Sequence, residues 1–460
     1  MQVKFIALTI FIFFTSTFAK SIEELQKKQE DILHYLGGVS PYVPMKNKRF
    51  IDMSLPETCK LNSVQLLQRH GSRYPTKGAN KGFKALYDAI NPFKGSLNGS
   101  LSFFNNKQYK YFVTNADVQL EQLTKLNNSK PNKYTGEIMA REFGYNFYSK
   151  YGHLVSENET LTVFASNSTR VKDTAKFFGE GFVQNTNINF EVLVISENET
   201  QGMNSLTPAK SCDTFDSDYN DDLIATFFGN KTAMLNDIKQ RIVDENPALN
   251  LSISNIESIY NYCTYELNVN GYSDMCNLLT KNELTMFDYE ASLEHYYSYM
   301  NGNTNSSAIA SVLLNSSIEL LTKSNGNKLN LAWTHDTDLN NFFSLALFNS
   351  TKLMPIESMD FDYPFSRNDF TPMGANIILE DYSCGNETYV RYIINDSVYP
   401  LNDCNDGPGY GCSLDNFISR AEKLMNGLDF AKQCNLNSSY PQELTFWWDY
   451  KNSTSYPVYN

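Results

Sequence analysis

The sequence predicts an α/β fold whose parallel strands end along one edge of an open sheet. Three observations predict it. Apolar, β-prone runs recur at Ser63 to Gln68, Leu161 to Ser166 and Leu329 to Thr334, as strands buried on both faces require. Each run passes into turn residues, and after the second and third an apolar pattern at helical spacing follows. The chain of 460 residues, 42% hydrophobic and 14% aromatic, has ample material for a large core.

From the start of the chain, "MQVKFIALTIFIFFTSTFAKS" carries a lone Lys4, an apolar run from Phe5 to Phe14 and small residues ending at Ala19. This is the pattern of a secretory signal, with cleavage expected after residue 19 and a soluble, secreted product. No other segment reaches the eighteen apolar residues of a membrane span, and the polar C-terminus argues against a lipid anchor, so no stable membrane anchor is expected. Eight cysteines without a C-x-x-C pair favour disulfides over zinc. Fourteen Asn-x-Ser/Thr sequons, from Asn98 through Asn167 to Asn452, predict N-linked glycans. A net charge of −13 without a basic block excludes nucleic acid as a partner.

The first junction, "LLQRHGSRYPT", places Arg69 and His70 at a strand's carboxyl end, with Arg73 in the turn. The second, "LTVFASNSTRVKDTAKFFGEGF", places Arg170 in the turn or first helical turn. The third, "KLNLAWTHDTDLNNFF", places His335 and Asp336 before an apolar helix. Parallel strands bring such ends together at the edge where open α/β sheets bind ligands. Arginine forks and helix N-termini then converge on a compact, multiply charged anion, and phosphate fits best. Like charge lowers the pKa of His70 and keeps a nucleophilic nitrogen available in acid. Asp336 serves as proton donor if burial or the phosphate's charge raises its pKa.

The heptapeptide "RHGSRYP" with a distant "HD" resembles the histidine acid phosphatases, the branch with yeast acid phosphatases and fungal phytases. The resemblance extends from about Cys59 to Cys434 through "FASNSTRVKDTAKFFGEGF" and "FTPMGANIILEDYSC". It implies a central mixed, largely parallel sheet with helices on both faces, plus a smaller mainly helical domain. The divisions expected are a signal peptide at 1–19, an N-terminal arm at 20–58, the α/β domain at 59–177 and 310–460, and the helical domain at 178–309. It further implies His70 as nucleophile, Asp336 as proton donor, Arg69, Arg73, Arg170 and His335 as phosphate ligands, and no metal or cofactor. The implied disulfides are Cys59 with Cys384, Cys212 with Cys434, Cys263 with Cys276 and Cys404 with Cys412. Similar yeast enzymes assemble as oligomers, and the amphipathic "IEELQKKQEDILHYL" is read as a packing or subunit-contact arm.

Other features are read as structural. Asp338 looks like helix-start charge rather than a metal partner of Asp336. "DSDYNDD" begins like a calcium loop but has Asp221 where glycine belongs, and "GPGYG" lies between two cysteines as a closed turn. His34, His153 and His295 have no chemical partners nearby in sequence. The expected function is a secreted acid phosphatase of broad specificity for small phosphate monoesters. Phytase is the alternative; a phosphoglycerate-mutase-like transferase and a non-catalytic secreted glycoprotein are rivals opposed, respectively, by the secretion signal and by the full set of key residues.

Overall fold

The computed structural model describes residues 21–45, 51–127, 132–348 and 352–459, so the expected signal segment at 1–19 lies outside the described residues. The centre is a mixed sheet in the order β3-β2-β4-β1-β5-β6-β7, with β8 beside β6. Its strands are β1 (Cys59–Arg69), β2 (Thr160–Ser166), β3 (Asn189–Ile195), β4 (Leu329–Thr334), β5 (Asn376–Cys384), β6 (Glu387–Ile394), β7 (Ser397–Tyr399) and β8 (Cys412–Ser413). The half from β3 to β1 is parallel, whereas β5 to β8 pair antiparallel. The change of direction at β5 allows β6 to follow through a tight turn at Gly385 and Asn386 rather than a helical crossover.

The longer helices are α1 (Ile22–Lys28), α2 (Lys77–Ile90), α3 (Gly136–Tyr151), α4 (Thr169–Phe182), α5 (Asp221–Glu245), α6 (Ile253–Asn270), α7 (Lys281–Tyr299), α8 (Ser306–Thr322), α9 (Asp336–Ala346) and α10 (Leu414–Met425). Alternation along the strands sends side chains to both faces. Val163, Ala165, Leu331 and Trp333 pack under α3 and α4, while Phe164 and Ala332 pack under α8, α9 and α10. A third apolar cluster joins α2, α5, α6 and the start of α7 with Leu33, Leu36, Val39 and Val43 of the N-terminal arm.

The expected division at residue 178 cuts through α4, and β3 beyond it pairs with β2 inside the sheet. Conversely, α2 belongs to the helical cluster although it directly follows the first strand junction. Helical periodicity alone marks which segments are helices, not which core they enter.

Disulfides join Cys59–Cys384, Cys212–Cys434, Cys263–Cys276 and Cys404–Cys412. The first ties directly opposed residues of β1 and β5. Among the sequons, Asn395 is fully buried and donates to the carbonyls of Asp369 and Phe370, which leaves no room for a glycan there.

Candidate active site

Strand β1 stops at Arg69 because its register with β4 ends at the pair Arg69 and Thr334. The next amide, of His70, still donates to the Thr334 carbonyl at 3.1 Å, and the His70 carbonyl accepts from Gly374 at 2.8 Å. The loop beyond is held from two sides. Gly71 donates to Thr174 Oγ1 at 2.9 Å, and the Ser72 carbonyl accepts from the amide and the hydroxyl of Thr124, each at 2.9 Å. A side chain at Gly136 would place Cβ 2.4 Å from the Ser72 carbonyl, so α3 begins with glycine where it meets this loop.

His70 is 1% exposed. Its Nδ1 lies 2.9 Å from the Gly71 carbonyl, which can only accept; the proton therefore sits on Nδ1 and Nε2 keeps a free lone pair. Burial, and then the charges of Arg170, Arg69 and Arg73, hold the imidazole well below its ordinary pKa.

Around this ring the three junctions converge. The His335 ring centroid lies 5.8 Å from that of His70, and Arg170 Nη2 lies 3.5 Å from His335 Nδ1. Arg73 sits above the Tyr265 ring of α6 at 5.6 Å and donates to the Tyr74 carbonyl. Arg69 spends Nη1 on the carbonyls of Gly38 and Thr371 and aims Nη2 at Asp336 Oδ2, 2.8 Å away. The Nε atoms of Arg69, Arg73, Arg170 and Arg367 are buried and unpartnered. Buried donors left unpaired are costly, and these four arginines outnumber the carboxylates that face them, Asp336 and Glu121, so the cluster carries surplus positive charge.

Asp336 opens α9. Burial raises its pKa, but Arg69, then His295 and Arg367, overcome burial and hold the carboxyl well below its ordinary range in the ligand-free protein. Burial alone therefore does not hold a proton on this carboxyl in the ligand-free protein. Asp338 lies inward: it is buried, accepts from Thr334 Oγ1 at 2.8 Å, and is pushed up to about 6 chiefly by burial. Among the described residues, no three His, Cys, Asp or Glu side chains group so that they could hold a metal ion.

The sequence profile of the histidine phosphatase superfamily (branch 2) matches residues 60–395. The chain belongs to this family. It is 39% identical to the phytase PHO112 of Candida albicans over 439 residues, covering 94% of this chain and 93% of the relative. It is 38% identical to the repressible acid phosphatase of Saccharomyces cerevisiae over 435 residues, covering 93% and 91%. The crystal structure of the phytase from D. castellii superposes with a TM-score of 0.87 at 37% identity, covering 93% of this chain and 92% of that one.

This histidine phosphatase also brings residues to the site that sequence reasoning missed. Glu197, two residues past β3, accepts from His335 Nε2 at 2.8 Å; burial raises its pKa, but the His335 contact pulls it down to about 2. The apolar run ending at Ile195 carries the same strand-to-loop signal as the other junctions, so Glu197 could have been found. Arg367 stands 3.2 Å from Asp336 at the start of a one-turn helix, without any such signal. His295, which has no partner nearby in sequence, is buried on α7 with Nδ1 2.6 Å from Asn340 Nδ2. The N-terminal arm also does more than pack, because Gly38 supplies the carbonyl that holds Arg69.

Proposed function

We propose that this chain is an acid phosphatase acting on phosphate monoesters through a phosphohistidine at His70. The observation that carries the proposal is the buried Nε2 of His70, freed by the Nδ1 contact and ringed by arginines with unpartnered Nε atoms. Arg69, Arg73, Arg170 and His335 bind the phosphoryl oxygens and stabilise their charge as the bond order changes. His70 Nε2 attacks phosphorus, the P–O ester bond breaks, and the leaving oxygen takes the proton of Asp336. Water then attacks the phosphohistidine, gives its proton to the Asp336 carboxylate, and inorganic phosphate leaves with His70 regenerated. Phosphate binding supplies the proton-raising charge: its negative oxygens draw Arg69 away from Asp336 and repel the carboxylate.

Broad monoester specificity is favoured over phytate. The net charge of −13 gives no overall attraction for a six-phosphate ligand, and Glu121 stands 4.0 Å from Arg170 at the pocket. Phytase remains the second reading because the Candida albicans and D. castellii relatives carry that name. The apolar N-terminus and the sequons support export as a glycoprotein, with the enzyme working outside the cell or in the periplasmic space.

The deciding experiment measures phosphate release from p-nitrophenyl phosphate between pH 3 and 8 with a chelator present, for wild type and His70→Ala. Acid activity that survives the chelator and vanishes in the variant supports the proposal; an optimum above neutrality removes Asp336 as donor. Turnover on phytate exceeding that on aryl and sugar phosphates makes the enzyme a phytase.

A further inference from the structure

Asp336 is held by two arginines of different character. Arg69 belongs to the phosphate cradle. Arg367 comes from the one-turn helix Arg367–Phe370, which no strand junction supplies. Its Nη2 lies 3.2 Å from Asp336 Oδ2, its side chain is 12% exposed, and its own amide donates to Ser292 Oγ on α7 at 3.0 Å.

A separate network fixes where Arg367 sits. Asn368, fully buried beside it, accepts from the amides of Leu36 and Gly38 and from Ser40 Oγ, and donates to the Leu33 carbonyl. The N-terminal arm thereby closes over the Arg367 stem. Gly38 has φ +68°, and a Cβ there would fall 2.7 Å from Arg367 Cγ, so the turn passes against the stem with no room for a side chain. The same Gly38 offers its carbonyl to Arg69. One turn of the arm thus holds both cations of Asp336, one through a hydrogen bond and one through contact.

We propose that Arg367 is a positioning residue for the proton donor: anchored by the arm, it holds the Asp336 carboxyl in place when Arg69 turns to the phosphate, and sets the pH above which the donor is lost. This rests on the assignment of Asp336 as donor. The groups facing Asp336 are Arg69 and His70 from the β1 end, Arg170 from α4, His295 and Tyr299 from α7, and Arg367. Arg69, Arg170 and His70 are engaged by the phosphoryl group during the reaction. His295 is buried, and burial and then Arg367 hold its pKa well below the ordinary value, whereas Arg367 is a permanent charge paired with Asp336 at 3.2 Å. Arg367 is the cation left to Asp336 in the loaded site. A cation at this distance favours the carboxylate, so its removal raises the pKa of the donor and carries the alkaline limb of activity upward.

The test compares wild type with Arg367→Gln and Arg367→Lys on glycerol 2-phosphate, a poor leaving group that needs the proton, and on p-nitrophenyl phosphate, which needs it less. The expected result for Arg367→Gln is an alkaline limb of kcat on glycerol 2-phosphate shifted up by about one pH unit, with a smaller change on p-nitrophenyl phosphate. KM and the inhibition constant of inorganic phosphate should stay within about twofold, because Arg367 does not hold the phosphoryl group; lysine should return the limb toward wild type. Arg367→Met keeps the stem against Gly38 without the charge, and carries the same test if the glutamine variant does not fold. An unshifted limb overturns the proposal, and so does a rise in KM of tenfold or more with the limb in place, which would make Arg367 a substrate ligand. His70→Ala run alongside separates the two levels: retained activity there overturns the phosphohistidine reading, whereas its loss with an unshifted Arg367→Gln limb overturns the role of Arg367 alone.

Discussion

Two buried charge clusters lie at the same sheet, and they are built on opposite principles. In the antiparallel half, Glu380 of β5 meets Arg391 of β6 at 2.7 Å, Lys150 at 2.9 Å and the Tyr151 hydroxyl at 2.6 Å. Arg391 directs its remaining donors at the carbonyls of Met53, Ser54 and Gly409. At the parallel edge, by contrast, four arginines surround Asp336 and His70, and each leaves its Nε unpartnered. A cluster that satisfies itself holds the fold, and a cluster with surplus cations awaits an anion. Burial and charge type are the same in both; the difference is the balance of donors to acceptors.

The contrast is most directly broken by variants that exchange the two roles. His70→Ala should lower phosphate release by at least about a thousandfold while leaving the unfolding midpoint near wild type; substantial residual turnover would end the nucleophile assignment. Arg391→Met should do the reverse, costing about 1.5–3 kcal/mol of stability by removing the charged hydrogen bond to Glu380, which keeps Lys150 and Tyr151, with kcat of the folded fraction close to wild type. Denaturant melts paired with active-site titration would separate these outcomes, and a catalytic loss per folded molecule in Arg391→Met would erase the distinction.

A finer probe is Glu197→Gln. It keeps the shape beside His335 but removes the charge that fixes the imidazole, so KM should rise about tenfold, about 1.4 kcal/mol. Steady-state kinetics at one acid pH suffice, and an unchanged KM would make the Glu197 contact incidental.

The smallest expected effect on catalysis, none, concerns a third buried cluster, in the helical layer, which bears on stability alone. Glu266 accepts from Ser273 Oγ at 2.6 Å with no ion-pair partner among the described residues, and burial pushes its pKa up to about 8. Below the unfolded carboxyl pKa of about 4.3 both states are protonated. As pH rises toward 8 only the unfolded state ionises, so stability falls across that window and levels off above it. Thermal melts should show a loss on the order of 3 to 4 kcal/mol between pH 5 and 8, and Glu266→Gln should flatten that slope. A wild-type slope surviving in the variant would assign it to other groups.

How much of this could be read from the chain follows from where each residue sits. Arg69, His70, Arg170, His335 and Asp336 were legible because each lies at the end of a strand or within four residues beyond it, and parallel strands align their ends. Glu197 follows a strand too and was missed only because its run was not read as one. Arg367, Gly38 and His295 carry no such mark: they arrive through a one-turn helix, an arm and the side of a helix, and only packing brings them to Asp336. The same reason displaced the helical boundary, since α2 and β3 are ordinary local patterns whose layer is decided by distant partners.

The position of β1 in the sheet has a consequence for how the enzyme is made. Its neighbours are β4 and β5, with Arg69 opposite Thr334 and Gln68 opposite Asn376. On the ribosome, the strand that leads into His70 therefore emerges early and remains without either partner until most of the chain has been translated. Contacts so distant in sequence form slowly. Until they form, the apolar Val64 and Leu66 and an unpaired backbone edge are open to chaperones or to another nascent chain. A message truncated before β4 leaves β1 with neither neighbour, and yields no weakened phosphatase but an unpaired strand for quality control to remove.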